Sequence, residues 1–502
     1  MAFSLRASIG LRLVLIAILT LILLIPTALI TNLITEREAR RNAAVLEVSD
    51  KWGSDQIIAG AVLIIPYKVI LRQFGTQGNP AVTGENLKYI YLLPQTLNIS
   101  AELTPEIRRR GIYDVVLYHA TIQLSGNFSL SELKTLSIEQ PENIEWHNAT
   151  LAIGISDLKG IRDAIPIEWQ GKTLLANPGL PSRDVIGNLS ASPYRSQLRL
   201  GVFSPDADFT AHAGGQHTLS GGVCVKLSDL SFRHADSALY RFSATLRLNG
   251  SEAFMVVPVG KETRLTVSSS WAHPSAIGAY LPEQPIETTN NGFSATWKVL
   301  HLNRDYPQAW FDNAYSIYNS AFGVRLLLPI DEYQKNMRSI KYAVMFIGLT
   351  FIALIMTELL MRTAIHPIQY LLIGLALLIF YVLLLSLSEH IGFNWAYILS
   401  SLAVIGLIAG YTKSVLQSLT GAAILAGILV VLYGFLFSIL QLQDYALLLG
   451  SLLLFFTLVL VLTTKPLPLI KTSHESKFLI LETLWKRFSD LPFCKTSHEP
   501  LY

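Results

Sequence analysis

The sequence predicts a membrane α + β protein with one N-terminal transmembrane anchor helix, a large predominantly β exported domain and a C-terminal bundle of five transmembrane helices. Three observations predict it. Charged residues make up 15% of the 502 and hydrophobic residues 51%, where a soluble domain carries about 25% charged residues. The apolar residues are segregated into long runs, and between the first run and the second lies a long stretch of short, alternating, β-rich segments. A mean hydropathy of +0.41 fits a bilayer protein. This composition excludes a disordered chain and a disulfide scaffold. A net charge of +3 gives no electrostatic footprint for nucleic acid.

The anchor comes first, in residues 1–33. A crossing helix needs about 20 mostly apolar residues, and residues 11–33 supply them with only Arg12 charged. That run exceeds the roughly 7–15 residues of a secretory signal core, and no A-x-A site follows it. An uncleaved anchor is therefore expected. Residues 31–49, rich in Glu, Arg and Ala, continue the helix beyond the membrane.

Residues 34–340 form the exported domain. Strands are expected at 62–71, 89–93, 113–124, 150–155, 240–248, 253–259 and 263–268, on one or two twisted antiparallel sheets. In 240–248 the residues Tyr240, Phe242, Ala244, Leu246 and Leu248 share one face, and charged or hydroxyl side chains take the other, as in a strand with one wet face. The dipeptide Asn249-Gly250 reads as the turn of a hairpin to the next strand. Short helices are expected at 129–137, 156–164 and 313–321.

Residues 341–464 hold five further apolar runs, at 342–360, 368–387, 393–411, 419–440 and 445–463, making six spans in all. Lys and Arg tend to stay on the cytoplasmic side of short loops. Arg6, Arg362, Lys413, Lys465, Lys471 and Lys477 then mark one side, while the turns 388–392 and 441–444 contain no Lys or Arg. Both chain ends are placed in the cytoplasm and the large domain, residues 34–340, outside. The basic trio Arg37, Arg40 and Arg41 opposes this, but long translocated domains largely escape the rule. Residues 465–502 form a basic cytoplasmic tail. In it Phe478, Leu481, Leu484, Trp485, Phe488 and Leu491 share one face of an amphipathic interfacial helix, between two copies of Lys-Thr-Ser-His-Glu, 471–475 and 495–499.

Catalytic motifs are missing: no G-x-S-x-G, Walker loop, H-E-x-x-H or C-x-x-C occurs. His212, His217, Cys224 and His234 match no zinc spacing, and 211–222 reads as a Gly-rich loop. Cys224 and Cys494 fall on opposite sides of the membrane and do not bridge. No cofactor, metal or catalytic residue is assigned. Ionisable residues within membrane segments are costly and often functional, which singles out Glu358, Arg362, Glu389, His390 and Asp444. Glu358 and Arg362 are spaced for an i,i+4 ion pair. Glu389 and His390 end a helix where water can reach them, and Asp444 caps the start of the last span. Glu389, His390 and Asp444 are read as a polar dock for the domain, as acid–base groups, or as caps. Gly406 and Gly410 form a GxxxG, which permits close helix approach.

Two stretches are more specific than composition. One runs Ser270-Trp271-Ala272-His273-Pro274-Ser275, then Gly292-Phe293-Ser294-Ala295-Thr296-Trp297 and Asn303-Arg304. The other includes Tyr333-Gln334-Lys335, Phe346-Ile347-Gly348-Leu349-Thr350-Phe351, His366-Pro367-Ile368-Gln369-Tyr370, Ser386-Leu387-Ser388-Glu389-His390-Ile391-Gly392-Phe393 and Gln441 to Ser451. These resemble the CreD family of bacterial inner-membrane, cell-envelope-integrity proteins, over roughly residues 11–464. The resemblance implies the inner membrane of a Gram-negative cell, a periplasmic domain, and a link to an envelope stress response under a sensor kinase and response regulator, including altered colicin sensitivity. It brings no catalytic residues, and the tail departs from it. The leading expectation is a non-enzymatic envelope factor whose exported domain binds a periplasmic or cell-wall partner, with the lipid bilayer as its other contact. A transporter or accessory subunit using the five helices, and an outer-leaflet enzyme, stay open, as does association with further copies of the chain.

Overall fold

The run from Gln56 to Tyr67 is buried at every position, so both faces of its strand must be covered. It belongs to β1 (Gln56–Phe74), near the middle of a nine-stranded sheet. The computed structural model describes residues 9–74, 80–182, 221–228, 230, 239–289, 291–328, 332–361, 365–442, 448–453, 455 and 459. Two compact units divide the chain. One comprises Leu21–Lys341 with Leu375–Val404, and the other Met1–Thr20, Tyr342–Gly374 and Ile405–Tyr502.

The first unit contains two sheets. The nine-stranded sheet runs β13 (Pro274–Gly278), β17 (Phe322–Leu326), β11 (Ala253–Val257), β1, β5 (Thr150–Ile155), β9 (Gly221–Lys226) and β8 (Asn177–Pro178); β2 (Pro80–Leu92) pairs with both β1 and β16 (Ala309–Phe311). The eight-stranded sheet runs β14 (Thr288–Thr289), β15 (Gly292–Leu300), β12 (Glu262–Ser269), β3 (Thr96–Arg110), β4 (Tyr113–Ser129), β10 (Leu239–Ser251), β6 (Pro166–Trp169) and β7 (Lys172–Leu175). β5 and β11 are buried throughout, as their unbroken apolar sequences require. In contrast β10 and β12 alternate buried with more exposed positions. Their inward residues, among them Leu246, Leu248, Leu265 and Val267, join Ile58, Val62 and Ile64 in one core. All seven expected strands are present. Among the described residues two pairings are parallel, β1 with β11 and β12 with β3, where antiparallel sheets are expected.

Asn249-Gly250 is not a hairpin turn. Both residues stay in β10, opposite His119 and Tyr118 of β4, and the chain then changes sheets at Glu252, which has φ 54°. The glycine answers a packing demand instead. A Cβ at Gly250 would lie 2.3 Å from the ring of Tyr118, whose hydroxyl donates to the Ala253 carbonyl at 2.7 Å. The three expected short helices shrink to 3-10 turns at Leu130–Thr135, Leu158–Gly160 and Tyr318–Ser320. Such turns close hydrogen bonds between residues three apart, with poorer geometry than an α-helix, and suit short connectors. Gly221 and Gly222, expected in a loop, open β9.

α1 (Ile9–Trp52) is one helix of 44 residues, so the anchor and its continuation are a single element about 65 Å long. Within the first unit its end packs Val45, Val48 and Trp52 on Val115 and Leu117 of β4, and the Arg108 guanidinium sits 3.8 Å from the Trp52 ring centroid. Further along come α2 (Glu332–Lys341), α3 (Ala343–Met361), α4 (Pro367–Ile391), α5 (Phe393–Leu416) and α6 (Leu419–Gln441). Among the described residues four helices are long and apolar enough to cross a membrane, and five if α2 and α3, bent by 49° at their junction, make one span. The expected span at 445–463 and the tail lie outside the described residues. In the second unit, Phe346 of α3 meets Tyr433 of α6 edge to face at 4.5 Å. The GxxxG pair makes no close approach: a Cβ at Gly406 or Gly410 would meet nothing within 4 Å among the described residues.

Candidate functional site

β3 and β4 form the longest antiparallel pairing of their sheet, in register from Thr96 and Asn127 to Arg110 and Tyr113. Gly111, at φ 64°, lets the strands turn with only Gly111 and Ile112 between them. This hairpin tip has an unusual sequence, Ile107-Arg108-Arg109-Arg110-Gly111-Ile112. Ile107 is 51% exposed and Ile112 43%. Each arginine is anchored beside them: Arg108 to Glu106 at 2.8 Å, Arg109 to Asp114 at 2.8 Å, and Arg110 to Glu47 of α1 at 2.9 Å.

The tip approaches the α4–α5 turn through α2. Glu389, in the last turn of α4, accepts a hydrogen bond from the Tyr333 hydroxyl of α2 at 2.9 Å and pairs with Arg37 of α1 at 3.5 Å. One turn along α2, Asn336 donates to the Ser388 hydroxyl at 2.7 Å, and Ser388 donates to the Leu385 carbonyl. Lys335 lies 5.5 Å from the Phe393 ring centroid, and the Tyr113 hydroxyl of β4 reaches Tyr333. Gly392, at φ 78°, makes the sharp passage from α4 to α5. All these residues belong to the first unit.

Between them lies a cleft of about 720 Å³. The hairpin tip gives one wall, and Trp271, Ala272 and His273, between β12 and β13, give another. Leu328, Glu332 and Tyr333 supply a third, Ser388 to His390 with Gly392 the floor, and Arg41 of α1 one edge. Two arginines, Arg41 and Arg109, face three carboxylates, Asp114, Glu332 and Glu389, and His273 and His390 are exposed. Trp271 is oriented by its indole N–H, which donates to the Leu327 carbonyl at 2.9 Å.

The residues singled out from the sequence therefore separate. Glu389 and His390 share the cleft, but the Glu389 side chain is only 8% exposed, not open to water, because Tyr333 and Arg37 cover it. Glu358 lies on α3, buried, and accepts from the Tyr370 hydroxyl of α4 at 2.7 Å. Its expected partner Arg362, and Asp444, lie outside the described residues. So do His212, His217 and His234, while Cys224 is in β9, where burial pushes its thiol up. Among the described residues no three His, Cys, Asp or Glu side chains gather as a metal site. Sequence reasoning missed Arg37, Tyr333 and Asn336 as partners of the α4 terminus. Their spacing in the chain carries no sign of the contact, although Tyr333, Trp271 and His273 all stand in the stretches that resemble a known family.

Comparison with known proteins bears on most of the chain. The family model described as inner membrane protein CreD matches residues 8–466. The inner membrane protein CreD of Escherichia coli K12 is 30% identical over 436 residues, covering 86% of this chain and 87% of that protein.

Proposed function

The chain belongs to the CreD family of inner membrane proteins, and from that premise we propose that it is a non-enzymatic factor supporting envelope integrity under stress. Its β domain is exported to the periplasm, where it binds an envelope partner or cell-wall component. Five helices after the domain anchor it, and both termini are cytoplasmic.

The observation that supports this reading best is the network at Glu389. A domain that merely hung from its anchor would need only a linker. Here the extension of α1 and the short helix α2 both engage the end of α4 at the turn to α5, and the tip of a long hairpin is tied in turn to α1 and α2. Occupancy of the domain can thereby bias the helix ends. The same pairings argue against an acid–base role. Glu389 is enclosed by Arg37 and Tyr333, and Asp114 is bound to Arg109, whereas a general acid or base must reach its substrate within hydrogen-bond range.

In-cell photocrosslinking from the wet face of the eight-stranded sheet, at Thr245 and Arg247, tests the partner. A discrete adduct that disappears on deletion of one envelope component is expected; uniform absence of adducts from that sheet and from exposed Leu281 would overturn it. Reporter fusions test the topology. Periplasmic signals are expected at Gly250 and Gly392, and cytoplasmic ones after Thr412 and Thr464. An all-or-none loss of envelope phenotype in a fully assembled His390→Gln protein would favour an enzyme instead.

A further inference from the structure

We infer that the cleft beneath the β3–β4 hairpin holds the headgroup of a zwitterionic aminophospholipid, a phosphate joined to a primary ammonium. This goes beyond the partner-binding role and does not need it, since it requires only that the chain lies in a bilayer.

Position comes first. The floor of the cleft, from Ser388 to Gly392, is the junction of two apolar helices of 25 and 24 residues, so it lies where hydrocarbon gives way to headgroups. Arg41 stands eight residues past the apolar run 11–33, about 12 Å along the helix. Side chains on a helix lean toward its N-terminus, which returns the guanidinium toward that same layer. The hairpin tip adds two exposed isoleucines flanked by arginines, a pattern that places apolar side chains among acyl chains while the charged heads stay in water.

Chemistry then narrows the occupant. A volume of about 720 Å³ falls in the range of about 300–1,000 Å³ of small-ligand sites. Ile107, Ile112, Trp271 and Leu328 provide apolar walls. A polyanion is disfavoured, because carboxylates outnumber arginines around the cleft. A headgroup carrying both signs is matched: Arg41 with the exposed His273 and His390 offers N–H donors to a phosphate, and Glu332 offers a carboxylate to an ammonium. An ammonium that donates hydrogen bonds is preferred over a quaternary one, since charge-assisted hydrogen bonds are the stronger contact. The two halves of the site come from separate parts of the chain. Trp271 to His273 and Ser388 to Gly392 are more than a hundred residues apart, and the fold brings them to one cavity.

The test uses the full-length protein, delipidated in detergent, with short-chain phosphatidylethanolamine, phosphatidylcholine and phosphatidylglycerol, and the acyl-free glycerophosphoethanolamine, followed by native mass spectrometry and thermal shift. Phosphatidylethanolamine should bind at least tenfold more tightly than the other two lipids, and glycerophosphoethanolamine should be weaker still. Arg41→Gln, Glu332→Gln and His273→Gln should each reduce its affinity roughly tenfold, the order expected for losing one charged hydrogen bond, with unchanged circular dichroism. If one of these fails to assemble, the other two carry the test. Equal or tighter binding of phosphatidylglycerol would overturn the inference, as would unchanged lipid affinity in the assembled variants. Binding of glycerophosphoethanolamine as tight as the lipid would show a soluble headgroup site and overturn the lipid assignment.

Discussion

Glu358 and Glu389 are two carboxylates near the ends of apolar helices, and they are satisfied in different ways. Glu358 accepts from Tyr370, twelve residues further on and across a single helix connection. Glu389 accepts from Tyr333, 56 residues earlier, and pairs with Arg37, more than 350 residues away. The first contact holds one helical hairpin together. The second joins elements from both ends of the large middle segment of the chain, so it reports on tertiary assembly. A buried charge costs several kcal/mol unless paired, and in both places a tyrosine hydroxyl supplies the short bond. At Glu389 a cation is added as well, from a helix of a different part of the chain.

That contrast can be broken by substitution, beginning with the largest effect. Glu389→Leu should lower the stability of the assembled protein by about 2–3 kcal/mol, since it removes the charge-assisted bond from Tyr333 and leaves the Arg37 guanidinium facing an apolar side chain. Thermal unfolding should show the loss, and hydrogen exchange should rise together in α2 and the last turn of α4. Exchange confined to α4 would mean the contact is local after all. Tyr370→Phe should cost about 1–2 kcal/mol by removing a hydrogen bond to a buried carboxylate. The double change Glu358→Leu/Tyr370→Phe should recover most of that loss, because removing both partners of a buried bond is nearly neutral. Arg37→Gln should cost less than about 1 kcal/mol, because the arginine is 39% exposed and solvent-screened pairs contribute little.

The smallest effect belongs to a third carboxylate, Glu145, on the surface of the β domain. Lys68, bonded at 2.8 Å, and then Asn148 hold its carboxyl below the usual carboxylate range. A depressed folded-state pKa gives stability that is present above the unfolded value and lost as pH falls through the folded one. A Glu145→Gln protein should therefore melt slightly below the parent near neutrality, and the difference should close on acidification below about pH 4. Melting curves that coincide at neutral pH and separate in acid would show that the pair does not stabilise the fold. Cys224→Ser should leave melting almost unchanged, its thiol being half-buried in β9 with no partner chemistry around it among the described residues.

Much of the architecture was legible because its signals are local. Alternation in Tyr240–Leu248 and the unbroken apolar run in β5 each follow from one strand and what covers it. Partners of strands were not legible. Asn249-Gly250 carries the signature of a hairpin turn, yet the glycine is needed for the Tyr118 ring lying over it, a neighbour 132 positions away. The candidate site divides the same way. Glu389 and His390 could be found from their place at the end of an apolar run, because charge is rare there. In the sequence Arg37 is one of three basic residues near a membrane, and Tyr333 stands in a stretch that resembles a known family. Nothing within either segment specifies that they meet on one carboxylate.

The crossing at Glu252 has a consequence for how the β domain comes apart. Here a single residue leaves the eight-stranded sheet and enters the nine-stranded one. Its N–H donates to Val116 on one side, and its carbonyl accepts from Leu326 on the other, while the Tyr118 hydroxyl holds Ala253 immediately after. Neither sheet can then lose its edges and open while the other stays closed, because the seam is stitched through the middle of both. Sub-global opening, which in many proteins exposes a contiguous block of amides well before the rest, has no natural boundary at this place. Amides of β4, β10, β11 and β17 should exchange at one common rate, and a protease acting on the native protein should find its cuts in connecting loops rather than between the sheets.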